Sequence, residues 1–470
     1  MSTYIRPTGE LVPVGGPMIH YWQPEDPHFW DSIGQRIATR NLWISVPALL
    51  LAFAVWMVWS TVAVRLNSIG FNFSTEQLFM LAALPSVSGA TLRIFYSFMV
   101  PLFGGRRWTA LSTATLLIPC IWMSFAVQNP ETPYSVFAVI ALLCGFGGGN
   151  FASSMSNISF FFPKAKQGTA LGLNAGLGNL GVSVMQFCVP LAVVGGLFGP
   201  FGGEPQLLED GSQLWLQNAG LIWVPFIFIV AVAAWVGMHD IADAKASVRE
   251  QAVIFKRKHN WLMCWLYVGT FGSFIGFSAG FAMLSKTQFP DINPLQYAFL
   301  GPLVGALSRT LGGLLADKFG GARITLWNYA LMIVFVFAVI AFLPDAGSSG
   351  NFWGFLASFI LLFFFAGIGN GSTFCMIPSI FHGEWAERRQ RDWLSEEQTT
   401  KNANIESAAV IGFSAAIGAF GGFFIPKAFG TSLALTGSAE AALYVFIAYY
   451  LSCIAITWWW YARRGAARPC

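Results

Sequence analysis

The chain has 470 residues, of which 55% are hydrophobic and only 10% charged, whereas soluble domains are about a quarter charged; that excludes an ordinary cytosolic protein. A mean hydropathy of +0.60, with 45 Phe, 19 Trp and 49 Gly, describes a chain solvated by lipid, in which aromatics anchor interfaces and glycines let helices approach. The net charge of +4 includes no basic tract that would suit nucleic acid. The seven cysteines are odd in number and six lie in apolar runs, so neither a disulfide framework nor a metal site is indicated.

In chain order, residues 1–42 read as an N-terminal segment. It carries Pro, Glu, Asp and His and lacks the basic start, apolar core and small-residue cleavage site of a signal peptide. Twelve apolar stretches follow, each long enough to cross a bilayer, at about 43–65, 78–101, 109–128, 134–160, 168–198, 219–238, 261–285, 296–316, 323–343, 352–381, 405–434 and 441–462. The expected class is an all-α polytopic membrane protein, and an even number of spans puts both termini on one side. Of the 26 Lys and Arg, 21 fall on the side of the termini, three (Arg65, Lys286, Lys427) on the other, and two, Arg93 and Arg309, inside spans. Basic residues are retained in the cytoplasm, so both termini are expected there.

Laid on itself at an offset of 216 residues, the chain repeats. Gly89-Ala90-x-x-Arg93 matches Gly305-Ala306-x-x-Arg309, and Phe103-Gly104-Gly105-x-Arg107 matches Phe319-Gly320-Gly321-x-Arg323. Span 2 thus lies over span 8, which predicts two pseudo-symmetric six-helix halves, 43–238 and 261–462, joined by a charged 239–260 linker and followed by a 463–470 tail. Parallel repeats of this kind are those of secondary transporters, whose sites lie between the halves near mid-membrane.

The run Gly312-Gly313-Leu314-Leu315-Ala316-Asp317-Lys318-Phe319-Gly320-Gly321-Ala322-Arg323 resembles the loop motif of the major facilitator superfamily. The resemblance implies that fold, and a gating role for Asp317, Lys318, Arg323 and Arg107 in tying helix ends together. Position 101 is proline where the second half has Asp317, so the latch is expected to be missing or weakened in the first half.

An arginine inside a membrane is a functional-site candidate by default. None of the 22 carboxylates falls in the body of a span, Glu406 at the start of span 11 being nearest, and no histidine does either. Two internal guanidiniums without an internal acid point to an anion arriving as ligand; the structural alternative is snorkelling toward an interface. Arginine forks suit a small oxyanion, which they grip bidentately.

Glycines crowd two corresponding spans: Gly172, Gly176, Gly178 and Gly181 in span 5, with Asn174 and Asn179 among them, and Gly412, Gly418, Gly421 and Gly422 in span 11. Close helix packing explains one such stripe; two suggest surfaces that slide during alternating access, with Asn179 as a polar donor. These stretches are similar to the two signature motifs of the nitrate/nitrite porter family of the major facilitator superfamily. Trp22-x-Pro24-Glu25-Asp26-Pro27-x-Phe29-Trp30 and Arg40-Asn41-Leu42-Trp43 resemble the N-terminal segment of its bacterial NarK/NarU type. The resemblance runs over nearly the whole chain. It implies that Arg93 and Arg309 bind substrate, that Asn179 and Tyr267 hydrogen-bond it, and that Phe53, Phe151 and Phe271 line the site. It also implies nitrate and nitrite as substrates, a bacterial inner membrane, and a functional link to a cytoplasmic-side nitrate reductase serving nitrate respiration or assimilation. Neither a cofactor nor a metal is implied, and a monomer is expected.

From the residues alone, Tyr267 and Phe271, four apart, share one helix face, and an aromatic face beside arginines suits a flat, weakly hydrated anion. Arginine does not deprotonate in proteins, so anion exchange is the simplest mechanism: swapping nitrate for nitrite moves no net charge, whereas nitrate entry alone works against about 2.3 kcal/mol per 100 mV. Proton-coupled or facilitated nitrate uptake is the alternative. A membrane anion receptor is a different class, and an enzyme is not indicated, since no nucleophile–base pair or cofactor motif is visible.

Overall fold

The structure, a computed structural model, describes residues 3–5, 11–13, 16–208, 210–242, 252–344, 347–466 and 468–470. The expected linker therefore lies partly outside the described residues, at 243–251. Among the described residues, twelve helices are long and apolar enough to cross a membrane, as expected. Several run well past their apolar cores. Span 1 is Pro27–Ile69, span 10 Phe352–Asp392 and span 11 Glu396–Thr436. Hydropathy sees the lipid-compatible stretch only; Glu, Gln and Arg are good helix formers and carry the helix on. Start signals agree: Asp26 caps the helix beginning at Pro27, Asn351 accepts the N–H groups of Trp353 and Gly354, and Ser395 with Gln398 makes a capping box.

The spans are also less uniform than the pattern predicted. Span 1 breaks at Val58 and span 11 at Phe420, and span 7, Lys258–Gln288, contains a π-helical turn at Val268–Gly272. Such turns recur at functional sites.

The chain divides into two compact units. The first comprises Met1–Val58 and Thr91–Ser247. In it, span 4 (Tyr134–Phe161) and span 5 (Lys164–Ala192) both press on span 1: a Cβ at Gly147 would lie 2.0 Å from the Ala52 carbonyl oxygen, and one at Gly181 2.0 Å from that of Leu50. Only glycine permits backbones to come this close. The second unit comprises Trp59–Ala90 and Val248–Cys470, so spans 1 and 2 each contribute to both. Within it, Phe79 packs on Phe429 at 6.4 Å, Glu76 pairs with Lys427, and span 8 (Pro294–Phe319) crosses span 10 closely, a Cβ at Gly371 falling 2.2 Å from the Arg309 carbonyl oxygen.

In the first half, where position 101 is proline, an acid from after span 6 meets the Arg106–Arg107 turn. Asp240, just past span 6 (Asn218–Gly237) and 1% exposed, accepts the Arg106 backbone N–H at 2.8 Å and its Nε–H at 3.3 Å, with Arg107 Nε at 3.7 Å. Asp317, Lys318 and Arg323 are exposed and take part in no ion pair among the described residues.

Candidate anion site

In the first unit the site centres on Arg93, in span 2 (Thr75–Tyr96) and 1% exposed. Its Nε donates to the Gly148 carbonyl at 2.8 Å. That carbonyl belongs to the Gly147-Gly148-Gly149 run of span 4, where missing side chains let another helix's guanidinium reach the backbone. Three rings face the cation: Phe151 at 4.7 Å, Trp56 at 5.0 Å and Phe53 at 6.0 Å. Desolvated cation–π contacts are worth about 2 kcal/mol or more, so this cage offsets part of the cost of burying a charge. Phe53 and Phe151 meet edge-on at 6.0 Å. The structure thus brings Arg93, Phe53 and Phe151 together, and adds Trp56, which sequence reasoning missed although it lies three residues from Phe53 on the same helix face.

Asn179 of span 5 is 1% exposed, and neither its Oδ1 nor its Nδ2 has a hydrogen-bond partner among the described residues. A buried, unpartnered amide costs stability, which suits a group reserved for a ligand. Its neighbours on the helix set its position: a Cβ at Gly178 would fall 2.6 Å from Leu49, and one at Gly181 3.1 Å from Phe53 Cβ. Gly172 and Gly176 differ, for a Cβ there would meet nothing within 4 Å. They are not packing glycines in this structure.

In the second unit, Tyr267 and Phe271 are each 1% exposed and their rings stack at 5.4 Å and 23°. The π-helical turn begins directly after Tyr267 and contains Phe271. A Cβ at Gly418 would lie 2.8 Å from Tyr267 Cδ1 and 3.3 Å from Phe271 Cδ1, and one at Gly421 2.3 Å from Gly272 Cα, so Gly418 seats span 11 on the aromatic pair and Gly421 seats it on the backbone of the π-helical turn. A Cβ at Gly422 would reach Ser86 at 2.2 Å, while Gly412 faces open space. Arg309 is half-buried, with its Nη1 enclosed and without a hydrogen-bond partner among the described residues, and Phe374 faces its guanidinium at 5.3 Å. Phe374 had no signal in the sequence, because the register that pairs Arg93 with Arg309 does not pair it with Phe151.

A family model described as Major Facilitator Superfamily matches residues 44–392. The chain is 58% identical over 449 residues to the nitrate/nitrite transporter NarU of Escherichia coli (strain K12), covering 95% of this chain and 96% of that protein. It is 41% identical over 466 residues to the probable nitrate/nitrite antiporter NarK2 of Thermus thermophilus, covering 97% and 99%. Among solved structures, a D-xylose–proton symporter aligns with a TM-score of 0.62 at 14% identity, covering 89% of this chain and 96% of that one, a likeness of fold alone.

Proposed function

The chain belongs to the major facilitator superfamily and, within it, to the nitrate/nitrite transporters, and from that premise we propose that it carries nitrate into the cell in exchange for nitrite. The observation that supports this most is the buried Arg93 guanidinium, which donates to the Gly148 carbonyl and is faced by the rings of Phe53, Trp56 and Phe151. Such a cation binds a small anion that loses its water cheaply, as nitrate and nitrite do, and disfavours sulfate or phosphate, whose strong hydration the rings cannot replace. Arg93 and Arg309 are the anion-binding groups in this reading. Asn179 and Tyr267 donate hydrogen bonds, and Phe53, Phe151 and Phe271 wall the anion.

We further propose that the termini lie in the cytoplasm, on the side bearing 21 of the 26 basic residues, in a bacterial inner membrane. Nitrite is the product of a cytoplasmic-side nitrate reductase, which would supply the counter-substrate. Substrate choice is tested by competition in proteoliposomes: nitrate and nitrite should suppress uptake of labelled nitrate, and chloride and sulfate should not. Equal suppression by chloride would overturn the assignment.

A second reading, proton-coupled uptake, draws on one cluster. Arg257 binds Glu406 through Nε at 2.9 Å and Nη2 at 2.5 Å and lies 3.7 Å from Glu384, whose other oxygen is enclosed without a hydrogen bond among the described residues. A carboxylate with a spare oxygen can take a proton. Exchange remains the preferred reading, since each carboxylate of the cluster is matched to an arginine, Glu406 to Arg257 and Glu384 to Arg257 and Arg388.

A further inference from the structure

None of the residues placed at the anion site lies in the N-terminal tryptophan- and proline-rich segment, yet that segment is built into the first unit. Ile19, Phe29 and Trp30 are buried. Trp22 donates its Nε1–H to the Phe160 carbonyl at 3.0 Å and packs edge-on to Phe161 at 5.5 Å, at the end of span 4. Glu25 accepts the backbone N–H of Lys164, the first residue of span 5, at 3.0 Å from 139 positions away. The residue before that helix is Pro163, which offers no side-chain cap, so Glu25 supplies the acceptor the local sequence lacks. Lys166 sits over Trp30 at 5.3 Å. Met18–Ile19 pairs in parallel with Asp240–Ile241 beyond span 6, and Asp240 in turn caps the start of span 3, which is Gly105–Ala126, through the Arg106 N–H.

We propose that residues 16–30 are a belt that sets the ends of spans 3 to 6, and that Glu25 is a positioning residue for transport, acting through the start of span 5. Span 5 carries Asn179 and the open-faced Gly172 and Gly176. Asn179 lies fifteen residues beyond Lys164, about 22 Å along the helix, too far for the belt to alter its local contacts. Holding the helix end governs how span 5 moves with its unit, so the belt controls the rate of the transport cycle and leaves affinity alone.

The inference rests on the transport reading only in using nitrate as probe, and one readout is independent of it. In Glu25→Ala, hydrogen exchange at the backbone amides of residues 164–167 should quicken about tenfold, and the maximal rate of nitrate uptake per folded transporter should fall about five- to tenfold with KM within about twofold of the parent. Glu25→Gln keeps a carbonyl acceptor and should restore at least half of that rate. If Glu25→Ala does not fold, Trp22→Phe, which keeps the ring and loses the Nε1–H donor, should show the same split. Unchanged exchange at 164–167, an unchanged rate, or a rate and KM that decline together with thermal stability would each overturn the proposal. If the parent protein itself moves no nitrate, the substrate assignment fails, and the exchange measurement still decides the belt.

Discussion

Arg93 exchanges water for a backbone carbonyl and three aromatic faces, and that exchange defines what it can bind. A guanidinium in such a cage has a fork to offer a planar anion, whereas an ammonium offers a point charge. Arg93→Lys or Arg309→Lys should therefore lower nitrate affinity by more than about tenfold although the charge is kept, as read by isothermal titration or substrate-induced thermal shift; each bidentate charged pair lost is worth about 1.5–3 kcal/mol. Unchanged affinity in either variant would move the site elsewhere. Both arginines were legible in the sequence, because charge is scarce in spans and no acid falls in the body of one. Trp56 and Phe374 were not: among 19 tryptophans and 45 phenylalanines, nothing but three-dimensional neighbourhood marks a ring as facing a cation.

At the scale of helices, each glycine-rich signature proves to hold two kinds of glycine. Gly421→Ala forces a Cβ to within 2.5 Å of three Gly272 backbone atoms, and such overpacking costs about 1–3 kcal/mol, visible as a lowered Tm. Gly172→Ala meets nothing within 4 Å and gains up to about 1 kcal/mol of helix propensity, so its Tm should hold or rise. A several-fold loss of transport in a stable Gly172→Ala protein is the expected sign that the open face is used during the cycle; full activity would make it idle surface. Spacing alone could not tell the two kinds apart, because GxxxG reports small residues and not what lies opposite. Helix ends were likewise only partly legible, since capping residues such as Ser395 are local but the Glu25 cap on span 5 comes from the far end of the sequence.

The chain that pairs with the belt beyond span 6 carries a titratable group. His239 follows span 6, and its Nδ1 accepts from Asn41 Nδ2 at 3.0 Å. Burial, with Arg40 and Arg106 nearby, pushes its pKa from 6.5 down to about 4, against a smaller opposing pull from Asp240. With the folded pKa below the unfolded one, the unfolded state binds more protons between these values. The stability of this corner is therefore complete above about pH 6.5 and is lost as pH falls toward about 4. Limited proteolysis within residues 16–26 should accelerate across that window, and His239→Gln, which cannot titrate, should flatten the profile. An unchanged profile in that variant would remove His239 from the account.

For the whole molecule, hydropathy and the 216-residue repeat divide the chain by sequence, while packing divides it by contact. Residues 59–90 of spans 1 and 2 group with 248–470, a partition that no count of apolar residues reveals, because both sides of the division are equally apolar. If alternating access requires the 59–90 segment to part from span 11, a covalent bond across them should stop transport. Phe79 and Gly430 adjoin across these helices: a Cβ at Gly430 would lie 2.9 Å from Phe79 Cβ, inside the roughly 3.5–4.5 Å of a disulfide, so the pair closes once the backbones part by under about 1 Å. Phe79→Cys with Gly430→Cys should lose nitrate uptake on oxidation and regain it on reduction, while neither single variant responds; undiminished uptake in the oxidised double variant would contradict that movement. Coupling is the remaining property of the whole, and the most direct measurement of it is nitrate uptake into proteoliposomes with and without nitrite inside, at clamped pH and membrane potential. Exchange predicts uptake that needs internal nitrite or nitrate and ignores an imposed pH gradient. Uptake into empty vesicles that follows the proton gradient would contradict it and point to Glu384 and Glu406.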